Sequence, residues 1–242
     1  DLVRSRGLGD VYKRQDKYSI PYWIDLPFQL TDSEGTKFLL IALDCVLDNF
    51  QTKDVLRYAR NVFSGLSIQD YATFENVVTR YGVVGERFFV DDKPVHDDEE
   101  FDRYLEIKSF LNPLKNFGRN IKGSHTIGEM VSAVRAFWEE TEIKANLEGL
   151  AANFEEKGNL LKQSIARQNF DKMDAVLTQM LDILGGFETD FNQFNKILRA
   201  GLSPIPISPL PMSVDCVYIG QSLTSVFNTA PYYYLSLIHI SE

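Results

Sequence analysis

The sequence predicts a mainly α-helical fold with a few short strands, in which a long helical block is set between two strand-forming stretches. Three observations lead there. Apolar residues recur at helical spacing through most of the region from Phe38 to Ala200. Strand-like segments fall near the two ends, around Tyr18–Ile24 and Val214–Ile219. A stiff stretch with prolines at 204, 206, 209 and 211 separates the helices from the second strand. Strand, helices, strand is the order left by a helical block inserted into an α/β domain.

The elements follow from local patterns. Pro21 pushes Ser19 and Ile20 toward extended backbone, and Leu26 to Gly35 reads as a loop. Phe38, Leu39, Ala42, Leu43, Val46, Leu47 and Phe50 make an apolar helical stripe. Thr52 is the expected cap of a second helix with Asp54 in its first turn and Val55, Leu56, Ala59, Val62 and Phe63 inward. Ser67 opens a third helix with Asp70 three residues on, and Gly82 suits a left-handed stop. Glu86 to Glu100 carries seven carboxylates against Arg87 and Lys93 and reads as an exposed linker or hairpin. A helix from Phe101 to Asn116 should kink or break at Pro113. Thr126-Ile-Gly-Glu129 is a capping box directly before the apolar positions Met130, Val131, Val134, Phe137 and Trp138. Residues 144–168, Phe170–Leu184 and Asp190–Ala200 supply three further helices, the first interrupted near Gly158 and the last stopped by Gly201.

Composition is that of an ordinary globular chain: 44% hydrophobic and 24% charged, with net charge −9. The acidic balance argues against a chain that grips nucleic acid over its whole surface, though not against a local basic strip. No run reaches the roughly 18 apolar residues that span a bilayer, so no membrane role is expected. Cys45 and Cys216 lack a CxxC spacing and fit a reducing, cytoplasmic compartment. No phosphate loop, GxGxxG, GxSxG or HExxH motif occurs, and the histidines at 96, 125 and 239 are isolated. No catalytic residue and no metal ligand is assigned; the carboxylates at 91, 92 and 97–100 lack the alternation of a calcium loop. Two features can touch nucleic acid. Lys53, Arg57 and Arg60 are spaced to share one helix face, with Tyr58 beside them as a base-stacking candidate. Arg103, Lys108, Lys115, Arg119 and Lys122 form a looser basic stretch with Glu106 opposing it.

The two ends are related through the genetic code. Codons that encode Leu235 to Glu242, read as their reverse complement, encode Leu8 to Gln15. Residues 1–15 and 235–242 are therefore expected to be adapter-derived and are set aside from fold reasoning.

From residue 18 to residue 234 the chain resembles the middle of the AddB/RexB family. The resemblance rests on Ile20-Pro-Tyr-Trp-Ile-Asp25, Ile41-Ala-Leu-Asp44, Asp54-Val-Leu-Arg-Tyr-Ala-Arg-Asn61 and the run from Phe74 to Phe88. It continues in Pro209 to Gly220 and Ala230 to Tyr234. Where the family carries a basic ERSR, this chain has Gln221-Ser-Leu-Thr-Ser225. The resemblance implies part of the second RecA-like domain of a superfamily 1 helicase (residues 16–85), a helical inserted domain (86–203) and a return to the RecA-like domain (204–234). It implies a heterodimer with an AddA-type subunit that acts on double-stranded DNA ends in recombinational repair. In the parent family ATP, Mg2+ and a 4Fe-4S cluster serve activities placed upstream and downstream of this stretch, so the stretch itself is expected to track DNA and act as a scaffold. A segment of a UvrD-type motor helicase and a helical protein–protein adaptor are the alternatives.

Overall fold

The computed structural model describes residues 22–25, 28–91, 99–207 and 217–220, with side chains for 28–91, 99–207 and Val217. Strands are β1 (Tyr22–Asp25), β2 (Phe28–Gln29), β3 (Pro206–Ile207) and β4 (Val217–Gly220). The helices are α1 (Glu34–Leu47), α2 (Thr52–Ala59), α3 (Ile68–Tyr81), α4 (Glu99–Ile107) and α5 (Asn112–Lys122), followed by α6 (Ile127–Glu140), α7 (Ile143–Glu156), α8 (Leu160–Leu184) and α9 (Phe191–Leu202). The expectations for residues 1–15, 235–242 and the strand after Pro231 lie outside the described residues.

β1 and β4 pair in parallel, in register from Tyr22 opposite Val217 to Asp25 opposite Gly220. Parallel neighbours cannot be joined by a tight turn and need a long crossover. Here that crossover contains every described helix. Phe28–Gln29 and Pro206–Ile207 form a second short pair, and the Leu30 N–H donates to the Ile205 carbonyl at 2.9 Å. Thus β2 and a 3-10 turn at Leu30–Asp32 occupy much of the stretch expected to be a loop.

The chain divides into two compact units, residues 1–28 with 207–242, and residues 29–206. The second unit holds residues on both sides of position 85. The reason is a continuous set of packed rings drawn from both sides of it. Phe38 of α1 stacks on Tyr58 of α2 and on Phe137 of α6, with centroids 5.1 and 5.5 Å apart. Phe137 meets Phe117 of α5 at 4.9 Å. Phe74 of α3 contacts Phe110 at 5.0 Å and Tyr104 of α4 at 5.6 Å. Phe38, Tyr58, Phe74, Tyr104, Phe117 and Phe137 are all buried. Aromatic pairs at these separations add to the burial of large apolar areas. Of the acidic run, Glu86 lies in a 3-10 turn at Gly85–Phe89 that buries Phe88, and Glu99 and Glu100 open α4; residues 92–98 lie outside the described residues.

Helix ends show where local chemistry is decisive. Thr126 accepts from the Glu129 N–H while the Glu129 carboxylate accepts from the Thr126 and His125 N–H groups, the expected capping box. Those backbone donors hold the Glu129 carboxyl below its usual range. Ser67 caps α3, and Gly82 ends it at φ +57°. Thr52, in contrast, is the first residue of α2 and no cap; its hydroxyl donates to the Val83 carbonyl at 2.7 Å. Pro113 sits in the first turn of α5 after a 3-10 turn at Lys108–Leu111, so the helix expected over 101–116 is two helices.

The segments 160–168 and 170–184 form one helix, α8, of 25 residues. The interruption expected near Gly158 is present: Gly158 has φ +68°, and Asn159 caps the new helix. Gly201 does not stop α9, which runs to Leu202; a Cβ there would stand 3.2 Å from Val176 of α8. α8 packs against α1, α6, α7 and α9. Its link to α1 is polar and buried. The Asn169 amide donates to Ser33 Oγ and to Thr36 Oγ1, the latter at 3.1 Å. The Ser33 hydroxyl in turn donates to the Leu30 carbonyl at 2.5 Å. A Cβ at Gly35 would collide with Asn169 Oδ1. Gly35→Ala and Asn169→Leu are each expected to lower unfolding free energy by about 1–3 kcal/mol in urea titrations. Wild-type stability in both variants would show that this buried link carries no weight.

Candidate nucleic-acid interface

α2 is eight residues long, and its pattern sorts residues sharply. Asp54, Val55, Tyr58 and Ala59 face inward, whereas Lys53, Arg57 and Arg60 are exposed. The three cations therefore do share a face. Tyr58 does not stand with them: it is 1% exposed, and its ring lies between Phe38 and Phe110. Burial pushes its phenol well above the usual range. Tyr58 is thus a core residue in this structure, turned inward by helix geometry, and offers no surface to a base.

Two of the three cations meet carboxylates. Lys53 Nζ lies 3.5 Å from Asp48 and 3.9 Å from Asp54. Arg57 lies 3.5 Å from Asp44 and 3.3 Å from Asp54. Asp44 is shared with Arg199 of α9 at 2.5 Å, and Arg199 also donates to the Leu40 carbonyl. Arg60 has no carboxylate partner among the described residues. The α2 face is therefore close to neutral where it is most crowded.

The second basic stretch divides into two parts. Arg103 forks onto Asp70 at 2.7 and 3.1 Å and also reaches Glu106. The guanidinium and Ser67 hold the Asp70 carboxyl below its usual range. Lys108, mostly covered, is held by Asp91 at 2.6 Å and by the Val90 carbonyl. Lys115, Arg119 and Lys122 differ. All three are exposed on α5, which contains no acidic residue. Lys115 lies over the ring of Phe89 and Lys122 over that of Phe50. Lys122 also donates to Asn49 Oδ1 at 2.9 Å, and Arg119 bonds the Asn116 side chain. The two rings meet edge to face at 4.9 Å. Asn49 and Phe50 both adopt positive φ, an uncommon backbone for non-glycine residues, and the Phe50 carbonyl is held by the Gly85 N–H at 3.0 Å. Sequence reasoning found these lysines but not the rings beneath them; the one local signal was an 11-residue helix with cations and no acid.

Among the described residues no group of three or more His, Cys, Asp or Glu is placed to hold a metal ion. Cys45 is buried, and burial pushes its thiol well above the usual range. No helix of the described residues is long and apolar enough to cross a membrane.

The fold is thus a helical module set in the chain between two parallel strands, and α5 carries three exposed cations and no acidic residue. No protein-family model matches the chain. It is 26% identical over 260 residues to the ATP-dependent helicase/deoxyribonuclease B subunit of Bacillus pumilus, covering 91% of this chain and 22% of that protein. The B subunit from Alkaliphilus oremlandii is 23% identical, with 85% and 19% covered, and that from Bacillus subtilis 23% identical, with 88% and 20% covered. The chain is related to the family of ATP-dependent helicase/deoxyribonuclease B subunits, AddB. It spans about a fifth of the length of the curated relatives it matches.

One carboxylate on the α2 face makes a test of its electrostatics. Asp54 is buried, and one of its oxygens, Oδ2, has no hydrogen-bond partner. Burial raises its carboxyl above the ordinary value of 3.8, against the pull of Lys53. Above 3.8 and up to the raised native value, the native state keeps a proton that the unfolded chain releases. Stability from this group falls as pH rises through that window, and the cost persists above it. Asp54→Asn is expected to match or exceed wild-type stability near about pH 7 and to lose that advantage toward about pH 4 in thermal melts. A variant clearly weaker than wild type at the higher pH would show that the ion pairs outweigh the burial.

Proposed function

We propose that this chain is a segment of the B subunit of a heterodimeric ATP-dependent helicase/exonuclease that processes DNA double-strand breaks for recombinational repair. Its role there is non-catalytic: it tracks DNA and supplies scaffold. The observation that carries this reading is the extent of the similarity, which runs along 85–91% of the chain in relatives named for that activity. The parallel β1–β4 pair supports it, because a RecA-like sheet places strands side by side in this way and tolerates a module in the crossover between them. On this reading β1 and β4 belong to a superfamily 1 RecA-like domain, and the helices from α1 to α9 are its insert. The partner is an AddA-type subunit, and the substrate a double-stranded DNA end.

ATP, Mg2+ and a 4Fe-4S cluster belong to the parent activity. The residues of this stretch do not fit them: the sequence holds no phosphate loop, and its two cysteines fall short of a four-thiolate set. No step of the reaction is assigned to this stretch.

The test is the uninterrupted reading frame, recovered by long-read sequencing of the source DNA. The expected result is a phosphate loop upstream and a nuclease motif with clustered cysteines downstream. A frame confined to these 242 residues would overturn the proposal and favour a helical protein–protein adaptor.

A further inference from the structure

We infer that the phosphate-binding surface of this chain is the outer face of α5, formed by Lys115, Arg119 and Lys122, and that its ligand is the sugar–phosphate backbone of nucleic acid. The inference deepens the proposed function and rests on it. Two cationic faces compete for the role, and their pairing separates them. On α2, Lys53 and Arg57 already lie within 4 Å of Asp44, Asp48 or Asp54. A phosphate binding there has to displace carboxylates held on the same surface. On α5 none of the three cations has a carboxylate partner among the described residues. Two acids lie near this face and both have other partners: Asn116 donates to Glu140 at 2.9 Å, and Asp91, which also feels the charge of Lys115, is paired with Lys108 at 2.6 Å.

The α5 cations are also positioned. Lys115 and Lys122 rest on Phe89 and Phe50, and Lys122 is fixed by Asn49. Cation–π contact steadies a lysine while leaving its charge uncompensated. The stripe runs from residue 115 to residue 122, about 10 Å at 1.5 Å rise per residue. That matches about three phosphate intervals of a strand at roughly 3.4 Å each. Phe50 is buried and Phe89 half-buried, both already capped by lysines, so the site offers charge and not base stacking. Recognition is accordingly independent of sequence.

The test uses the full 242-residue chain with fluorescein-labelled oligonucleotides, one single-stranded and one duplex, titrated over a range of KCl. Three phosphate contacts give a log–log salt slope of about 2 on single strands and about 3 on duplex, which weakens single-strand binding roughly fifteen-fold between about 50 and 200 mM salt. The triple variant Lys115→Gln, Arg119→Gln, Lys122→Gln is expected to lose most of that slope and at least about tenfold in affinity at low salt. Lys53→Gln with Arg57→Gln is expected to change binding less than about twofold. Lys115→Arg with Lys122→Arg keeps charge and ring contact and is expected to bind like wild type, which separates charge from folding. Equal losses in the two glutamine sets, an unaffected α5 variant, or tighter binding of polyglutamate than of either oligonucleotide would overturn the inference. So would absence of wild-type binding at low salt; that result leaves the helicase–nuclease reading to be decided separately by the flanking reading frame.

Discussion

Burial of one connected group of aromatic rings organises the helical unit. Phe38 touches rings of α2 and α6, Phe137 reaches α5, and Phe74 joins α3 to α4 and to Phe110. Each ring hides a large apolar area, and each fixes the rotation of the helix that carries it. Once Tyr58 is committed to this core, the rotation of α2 is set, and Lys53, Arg57 and Arg60 must face out. Phe117 and Leu114 do the same for α5, which leaves Lys115, Arg119 and Lys122 outside.

The polar interior is sparing and specific. Asn169 joins the middle of α8 to the start of α1 across more than a hundred residues of chain. Arg199 ties α9 to Asp44 and Leu40 of α1. Such links add little gross energy, but their loss leaves buried groups unpaired. They also set how much charge remains for a ligand: Asp44 is spent on two arginines, and one of them belongs to α2. The difference between the α2 and α5 faces is thus a by-product of how the helices are held together.

Features governed by near neighbours in the chain were legible in the sequence. The capping box at Thr126, the Ser67 cap, the left-handed stop at Gly82 and the helix restart at Pro113 all came from spacings of a few residues. So did the inward positions Met130, Val134 and Phe137 and the order of strand, helices and strand. What escaped depends on distant partners. Tyr58 sits in a short helix among cations, and only rings far along the chain reveal that it points inward. The acidic composition of residues 86–100 does not say which helices share a core. The rings under Lys115 and Lys122 come from segments 26 and 72 residues earlier in sequence, so the α5 stripe read as a loose series of charges.

The central claim is that residues on both sides of position 85 form one cooperative core. It is tested most directly by unfolding Phe38→Ala in a Trp23→Phe background, where Trp138 of α6 is the remaining tryptophan. Phe38 lies on one side of the acidic run and Trp138 on the other. The account predicts one urea transition by both Trp138 fluorescence and far-ultraviolet circular dichroism, displaced by about 3–5 kcal/mol. A Trp138 transition left in place while the dichroism splits into two steps would contradict it.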